Sequence, residues 1–365
     1  MKYKRLGDIA TYINGYPFKP EDRGTTGLPI IRIQDLTGNA YDLGFYDGNY
    51  PERIEINDGD VLISWSASLG VYVWNRGKAL LNQHIFKVAF DKCAVNKQYF
   101  VYAVQHKLQE METKAHGATM KHIVKKDFDN TVIPFPTLEE QEEIAKIINH
   151  ASGIIFARQQ QLQKLDELIK ARFVELFGNP VINNKGWNVS DLGQLTIKIG
   201  SGATPKGGKE AYQTDGISLI RSMNVHNGKF EYKELAHISD EQAARLENVA
   251  VEENDVLLNI TGASVARSCV VPTNVLPARV NQHVCIIRCK DSIMPDFINS
   301  LLIDDNYQDL LWSIAGSGAT REAITKQQVE SLQIILPPIS KQEEFSKFIN
   351  RVDKSKLLQF FCFPI

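Results

Sequence analysis

The sequence predicts an α+β protein in which two β-rich domains form an internal repeat with approximate two-fold symmetry and are joined by long antiparallel helices. Three observations carry this prediction. The same short motifs occur in the same order in both halves of the 365-residue chain. Val- and Ile-rich runs bounded by turn residues fill the front of each half. A capped amphipathic stretch, roughly 40 residues long, separates the two halves.

The internal repeat has a period of roughly 200 residues, which indicates duplicated domains and not a solenoid. Residues 117–149 and 318–350 align without a gap and are identical at 13 of 33 positions. The front parts differ in length, as variable loops on a scaffold do, although random drift of two related folds would also produce this. The matched front motifs are RLGDIA (5–10) with DLGQLT (191–196), PIIRIQDLTGN (29–39) with SLIRSMNVHNG (218–228), NDGDVLIS (57–64) with EENDVLLN (252–259), and NQHIFKV (82–88) with NQHVCII (281–287).

This repeat predicts four segments: a first domain at 1–137, a connector helix at 138–178, a second domain at 179–338 and a C-terminal connector helix at 339–365. In each domain the strands lead into a helical stretch, at 96–112 and 294–314. A glycine loop, a short helix and one apolar strand ending in proline follow. In each half, a front part of variable length therefore precedes a connector segment of constant length.

The central helix has clear boundaries. Thr137 and Glu140 form a capping box, and Gly178 with Pro180 ends the helix. Its apolar residues recur at spacings of mostly three, four or seven, which predicts one stripe that needs a partner helix. The stripe residues are Ile144, Ile148, Ile155, Leu162, Leu165 and Ile169.

The second connector helix is expected to supply that partner. It is predicted to begin near Ser340, with Glu343 completing a capping box. Its apolar face contains Phe345, Phe348, Ile349 and Val352. After roughly 20 residues the stripe stops and the sequence reads LLQFFCFPI. We therefore expect an apparently truncated arm with weaker helix pairing.

The amino-acid composition limits the classes of function that the chain can have. The chain is 43% hydrophobic and 23% charged, and no apolar run reaches the roughly 20 residues of a membrane span. No apolar segment of the signal-peptide type follows the first lysines. The five cysteines suggest no disulfide framework, which favours a cytoplasmic protein. With a net charge of −2, any surface that binds a polyanion must be local.

No catalytic constellation is recognisable. The glycine-rich segments lack the spacing of a phosphate-binding loop, and GNPVINN (178–184) lacks the second proline of an adenine-methyltransferase motif. His283, Cys285 and Cys289 lie at irregular spacing without a second cluster, so core packing is favoured over a metal site. The repeated Asn-Gln-His (82–84 and 281–283) is interpreted as a polar turn that fixes the start of a strand, with catalysis as the alternative.

The doubled GAT…P…QEE…I pattern, GSGATPKGG (200–208) and NDVLLNITG (254–262) together resemble the specificity subunit of type I restriction–modification enzymes over nearly the whole chain. The resemblance implies a non-catalytic subunit whose two target-recognition domains each read one half of a split DNA site. The helices would set the spacer and dock two methyltransferase subunits, and restriction subunits would join. This chain would bind no cofactor itself, while S-adenosylmethionine, ATP and Mg²⁺ would serve its partners. A protein-interaction scaffold without DNA specificity is the alternative, and the missing motifs argue against a self-contained enzyme.

Candidate DNA contacts come from basic and polar residues in matched loops. The front loops NGYPFKPEDRG (14–24) and SGATPKGGKEAY (201–212) mix basic, aromatic and glycine residues. The strand-end loops SWSAS (64–68) and NITGAS (259–264) are polar, and residues 114–126 are basic. Arg32 and Arg221 hold matched positions, where reading guanine and forming a structural ion pair are equal contenders. The full set is Lys19, Arg23, Arg32, Ser64, Ser66, Lys121, Lys125, Thr204, Lys206, Lys209, Arg221, Asn259, Thr261, Arg267 and Arg321.

Overall fold

The structure is a computed structural model that describes residues 2–38, 43–114, 123–204, 207–316 and 322–361. The chain divides into two compact units, Met1–Phe156 and Ala157–Ile365. Both units combine helices with sheets, which confirms the predicted α+β class. The helix that carries the chain from the first unit into the second spans Leu138–Phe177.

The first unit contains ten strands and four helices in its described residues, counting the helix that continues into the second unit. The strands are β1 (Tyr3–Arg5), β2 (Thr11–Asn14), β3 (Leu28–Ile31), β4 (Phe45–Tyr46), β5 (Glu55–Ile56), β6 (Val61–Ser64), β7 (Gly70–Val73), β8 (Ala79–Leu81), β9 (Ile85–Ala89) and β10 (Val132–Pro134). The helices are α1 (Ile33–Thr37), α2 (Lys97–Lys114), α3 (Lys125–Asn130) and α4 (Leu138–Phe177).

The described part of the second unit adds twelve strands and six helices. The strands are β11 (Asn188–Asp191), β12 (Thr196–Ser201), β13 (Ile217–Ile220), β14 (Val225–His226), β15 (Lys229–Phe230), β16 (Ala236–Ile238), β17 (Ala250–Val251), β18 (Val256–Asn259), β19 (Ser268–Val270), β20 (Ala278–Val280), β21 (Val284–Cys289) and β22 (Gln333–Leu336). The helices are α5 (Leu192–Leu195), α6 (Asp240–Ala244), α7 (Pro295–Leu302), α8 (Asp305–Gly316), α9 (Lys326–Glu330) and α10 (Ile339–Phe361).

The sheet topology of the two units is the same. The first unit has sheets in the orders β2-β9-β6-β7 and β4-β3-β8-β5, and the second has β12-β21-β18-β19 and β16-β13-β20-β17. In both units the second sheet contains one parallel pair, β3 with β8 and β13 with β20. The second unit also has the hairpin β14-β15, which lies where its sequence is longer. The internal repeat is thus a repeat of strand order and not only of motifs.

The continuous apolar runs VLIS and VLLN lie between two cores. Alternate residues of a strand point to opposite faces. Val61 and Ile63 therefore pack into one core of the first unit and Leu62 into the other. Val256 and Leu258 likewise face one core of the second unit, and Leu257 faces the other. Burial on both faces explains why these strands lack polar alternation.

Burial and hydrogen bonding explain the glutamine of the repeated Gln-Glu-Glu. Gln141 is 1% exposed; its Nε2 donates to the Pro136 carbonyl and its Oε1 accepts from the Asn96 N–H, both at 2.9 Å. Gln342, also 1% exposed, donates to the Pro337 carbonyl and accepts from the Met294 N–H, again at 2.9 Å. Each glutamine therefore joins the start of a connector helix to the start of another helix in its unit.

Helix α4 begins and ends as predicted. Thr137 N–H donates to the Glu140 carboxylate at 2.8 Å, and Glu140 N–H donates back to Thr137 Oγ1 at 3.3 Å. These bonds from the backbone and side chain of Thr137 lower the pKa of Glu140. Gly178 follows the last turn with φ +78°, the left-handed conformation that favours glycine.

Helix α10 packs antiparallel to the C-terminal part of α4 within the second unit. Arg172 pairs with Glu344, while Lys356 pairs with Asp166 at 2.7 Å. From the first ion pair to the second, the residue number decreases in α4 and increases in α10, so the two helices run in opposite directions. Phe345 is fully buried between the rings of Phe173 and Phe177, and Val352 is also buried. Phe348 and Ile349 are half-buried, as are Leu162, Leu165 and Ile169 on α4.

Three sequence predictions need correction. Helix α10 begins at Ile339, where the predicted segment 339–365 begins, but the predicted capping box of Ser340 and Glu343 does not cap it: Pro338 precedes the helix, and its carbonyl accepts from the Lys341 N–H at 2.9 Å. The stretch 294–314 forms two helices, because Asp304 Oδ1 accepts from the N–H of Asn306 and caps the start of α8.

The third correction concerns the predicted stripe on α4, which is not buried along its whole length. Ile144 and Ile148 are half-buried. Ile155 is 42% exposed, and its neighbour Phe156 is 61% exposed. The described contacts of α4 with α10 involve the segment from Asp166 to Phe177. The middle of α4 therefore presents an apolar surface to solvent within this chain.

Candidate nucleic-acid interface

The Asn-Gln-His turn of each unit joins the front loop to the rest of the domain. In the second unit Gly202 N–H donates to the Asn281 carbonyl at 3.1 Å. A Cβ at Gly202 would lie 1.7 Å from the Val280 oxygen, so a side chain cannot fit. In the first unit a Cβ at Gly15 would lie 2.0 Å from the Asn82 oxygen. Both front loops thus pass so close to this turn that glycine is needed.

The same turns also hold the strand-end loops. Trp65 N–H donates to the His84 carbonyl at 3.2 Å, and Ile260 N–H donates to the His283 carbonyl at 3.0 Å. Each turn therefore contacts the front loop on one side and the strand-end loop on the other. The two loops that the sequence selects as candidate contacts meet at the Asn-Gln-His turn in both units.

Side chains extend this junction in the second unit. Thr204 donates to Gln282 Oε1 at 2.5 Å, and Gln282 Nε2 contacts His283 Nε2 at 2.9 Å. His283 Nδ1 contacts Thr261 Oγ1 at 2.5 Å. A chain of four polar side chains therefore runs from the front loop to the strand-end loop. The predicted contacts Thr204 and Thr261 stand at its two ends.

An open pocket lies beside this chain. Its volume is about 330 Å³, and it is lined by Ser222, Thr261, Gly262, Ala263, Ser264, Arg267 and His283. Arg267 is half-buried, and its guanidinium contacts no acid or acceptor within the described residues. None of the described residues that line the pocket is acidic. Arg267 can only donate, and the hydroxyls of Ser222, Thr261 and Ser264 can donate as well as accept, so the pocket suits a ligand that carries hydrogen-bond acceptors.

The two matched arginines have different surroundings. Arg32 Nε lies 3.1 Å from Asp35, and their side chains are 10% and 3% exposed. At the matching position Arg221 meets Asn224 in place of an aspartate, and Arg221 N–H donates to the Asn224 oxygen at 3.0 Å. The Arg221 guanidinium instead donates to the Glu234 carbonyl and lies 5.3 Å from the Tyr212 ring centroid. Arg32 therefore forms the structural ion pair, whereas Arg221 remains a candidate contact.

Two other candidates are also structural. Asn259 is fully buried, and its Nδ2 donates to the Ser222 carbonyl at 2.8 Å. Ser64 is fully buried and donates to the Ser68 carbonyl. Because both side chains fix loop backbones from inside, the prediction that they contact DNA is corrected along with that of Arg32.

The remaining candidates are spread more widely. Lys19 and Arg23 are exposed in the front loop of the first unit, and Ser66 is half-buried. Lys125 is exposed but lies 2.7 Å from Asp129, which offsets its charge. The predictions for Lys121, Lys206 and Arg321 lie outside the described residues, as does the side chain of Lys209.

Sequence reasoning did not select Gln282, His283 or Ser222 as DNA contacts, and it selected Ser264 only as part of the NITGAS loop. The repeated Asn-Gln-His was visible in the sequence, but its nearness to Thr204 and Thr261 depends on strands distant in sequence. Ser222 follows Arg221 directly, and Ser264 ends the strand-end loop. The spatial neighbourhood, and not a motif, identifies these residues.

The cysteines and acidic residues are possible metal ligands within the part of the chain that the structure describes. Within the described residues no group of three or more His, Cys, Asp or Glu side chains could hold a metal ion. Burial raises the pKa of the Cys269 and Cys285 thiols to about 12, so both thiols remain protonated at neutral pH. None of the helices in the described ranges combines the length and apolarity that a membrane span requires.

Two repeated β-rich units, each presenting polar loops around one turn and joined through a 40-residue helix, define a tandem recognition protein. The family model described as "Type I restriction modification DNA specificity domain" matches residues 1–167 and again residues 184–359. The chain therefore belongs to the type I restriction–modification specificity subunits. These subunits are non-catalytic, as the resemblance of the sequence implied.

Relatives support this assignment over almost the whole chain. The type I restriction enzyme EcoBI specificity subunit of Escherichia coli is 23% identical, covering 95% of this chain and 78% of the relative. The MjaVIII specificity subunit of Methanocaldococcus jannaschii is 22% identical, covering 96% and 85%. The crystal structure of the type I restriction–modification S subunit from M. genitalium has a TM-score of 0.56 at 12% identity, covering 97% and 90%. This last likeness supports the fold.

Proposed function

We propose that the chain selects a bipartite DNA sequence, with a first recognition domain at 1–137 and a second at 179–338 each reading one half-site. The observation that supports this best is the pair of Asn-Gln-His turns. Both turns gather the same two loops, yet the side chains around them differ: Trp65 packs on His84, whereas Thr261 contacts His283. A shared backbone arrangement that carries different side chains in the two domains suits two different half-sites.

Within the second domain, Arg221, Thr261 and Arg267 are the proposed base or backbone contacts, with Thr204 at the front loop. Arginine can donate two hydrogen bonds to guanine, which is worth about 1–3 kcal/mol of discrimination. In the first domain the proposed contacts are Lys19, Arg23 and Ser66, and Lys125 would contact phosphates. Lys121, Lys206, Lys209 and Arg321 remain proposals from sequence alone.

We further propose that the connector helices, 138–178 and 339–365, set the spacer and dock methyltransferase subunits. The exposed apolar side chains on the middle of α4 support this role: Ile147 is 62% exposed, Ile154 38% and Phe156 61%. A rim of charged residues around an apolar patch is typical of an interaction site. Two methyltransferase subunits and the restriction subunits would complete a cytoplasmic assembly, with S-adenosylmethionine, ATP and Mg²⁺ bound by those partners.

The test is to methylate a pool of random DNA with the chain and its cognate methyltransferase subunit, then sequence the modified molecules. We expect one motif with two half-sites and a fixed spacer, and DNA affinity that falls steeply with salt. Arg267→Ala should relax preference at one base pair, whereas Lys125→Ala should weaken all sequences alike. A pool without any enriched motif, together with DNA affinity that does not depend on salt, would instead favour a protein-interaction scaffold.

A further inference from the structure

We propose that His283 is a positioning residue that turns the hydroxyl of Thr261 into a hydrogen-bond donor toward an acceptor on a DNA base edge. The acceptor would be an atom such as N7 or O6 of a purine or O4 of thymine. The inference rests on the proposed function, because it concerns how the second recognition domain distinguishes bases. It adds Gln282 and His283 to the residues that determine specificity.

The direction of the hydrogen bonds follows from the groups involved. The amide nitrogen of Gln282 can only donate, so His283 Nε2, 2.9 Å away, is the acceptor. A neutral imidazole with an accepting Nε2 carries its proton on Nδ1. His283 Nδ1 therefore donates to Thr261 Oγ1. One of the two lone pairs on Thr261 Oγ1 accepts this bond, and the hydroxyl hydrogen remains to donate elsewhere.

The far end of the chain is compatible with the same direction. Gln282 Oε1 faces Thr204 and accepts its hydroxyl hydrogen, while the amide nitrogen of Gln282 faces His283. Gln282 Oε1, His283 Nε2 and Thr261 Oγ1 each accept one hydrogen bond, so the bonds run in one direction from Thr204 to Thr261. The front loop thereby controls the orientation of a hydroxyl in the strand-end loop.

Thr261 and Arg267 both line the open pocket. Thr261 is half-buried, so it is accessible from the pocket without being freely rotating in bulk solvent. A hydroxyl donor and a guanidinium beside it match a ligand edge with neighbouring acceptors. Base edges and phosphates both offer acceptors, and the outcomes below separate them.

The first recognition domain lacks this device. His84 Nδ1 is buried and has no hydrogen-bond partner among the described residues, and its ring lies 4.9 Å from the ring of Trp65. The equivalent of Thr261 is Ser66, which lies in the strand-end loop of the first domain. His84→Leu is therefore the matched control for a histidine that does not orient a hydroxyl.

The experiment uses the full chain with its methyltransferase subunit and a random DNA pool, with both half-sites scored separately. Two variants remove the device: Thr261→Val deletes the hydroxyl, and His283→Leu deletes the donor. Two conservative variants keep it: Thr261→Ser retains the hydroxyl, and His283→Asn retains an amide N–H near the position of Nδ1. Thermal unfolding of every variant reports on folding.

We expect Thr261→Val and His283→Leu to reduce the preference at one base pair of the second half-site by about tenfold. Preference in the first half-site should not change, and Thr261→Ser and His283→Asn should stay within about twofold of the parent. His84→Leu should leave the second half-site unaltered.

The inference is overturned if Thr261→Val and His283→Leu keep the base preference, or if they weaken every sequence alike. The second result would indicate a phosphate contact or a purely structural role. If the parent chain itself enriches no motif, the proposed function fails and the inference falls with it. These results are distinguishable because the parent is scored in the same pool.

Discussion

The two recognition domains have the same strand order but differ at matched positions that decide what a side chain can do. Arg32 is followed three residues later by Asp35 and forms a buried ion pair. Arg221 is followed three residues later by Asn224, so it has no carboxylate at that place and extends toward Tyr212. The aspartate of the first domain and the asparagine of the second thus accompany different partners of the two arginine side chains. The two domains therefore share a backbone fold, whereas the contacts of matched side chains depend on the residues next to them.

The largest difference between the copies is expected at the connector helices. Phe345 is fully buried, whereas Ile144, at the same place in the first repeat, is half-buried. Phe345→Ala should lower the free energy of unfolding by about 3–5 kcal/mol, because it leaves a cavity between Phe173 and Phe177. Urea unfolding measures this, and Ile144→Ala is the matched variant, expected to cost less than half as much. Equal losses would show that both helix starts are packed alike.

The arginine pair gives the next effect. Arg32→Ala should destabilise the chain by about 3 kcal/mol, because it leaves the buried Asp35 carboxylate without its ion pair. Arg221→Ala should cost less, about 1 kcal/mol, because it removes a hydrogen bond to the Glu234 carbonyl, and it should also alter DNA recognition. Unfolding and DNA binding measured on both variants test this division. An Arg32→Ala chain with normal stability and altered base preference would reverse the two roles.

The glutamines that join the helices should behave alike, because their contacts are the same. Gln141→Leu and Gln342→Leu each remove a donor and an acceptor to buried backbone groups, at a cost of about 1–3 kcal/mol. Gln159→Leu, at an exposed position of α4, is the control and should have little effect. Denaturation curves of the three variants measure these costs. A large difference between Gln141→Leu and Gln342→Leu would show that the two glutamines do not play the same role in the two repeats.

The smallest effect concerns the helix caps. Thr137→Ala should cost about 1 kcal/mol because it removes a side-chain cap. Ser340→Ala should cost close to nothing, because Pro338 and not Ser340 occupies the matching position. A comparison of melting temperatures is sufficient. If Ser340→Ala were as costly as Thr137→Ala, the helix start observed for α10 would be contradicted.

Most of the architecture could be predicted from the sequence. Helix α4 was bounded correctly, because a capping box and a left-handed glycine are local signals. The repeat predicted the shared strand order, because matched motifs lie on matched strands. The segment predicted for α10 begins at the observed residue, Ile339. The capping box assigned to Ser340 was wrong, because a serine with a glutamate three residues later mimics a capping box wherever it occurs.

The recognition site was harder to predict, because its residues meet only after folding. Arg32 and Arg221 looked equivalent in sequence, although the residue three positions later distinguishes them. Asn259 and Ser64 looked like exposed polar loop residues, yet both lie at the end of buried strands and bond to loop carbonyls. The chain from Thr204 to Thr261 joins residues that are 57 positions apart in sequence, and no periodic pattern reports such a contact.

The central claim is that each recognition domain reads its own half-site independently. The most direct test replaces residues 1–137 with a second copy of 179–338, keeps both connector helices, and determines the methylated motif of this chain with its methyltransferase subunit. The account predicts that one half-site of the parent motif disappears and that the other occurs twice. Retention of the parent motif, or a new motif unrelated to either half-site, would contradict it.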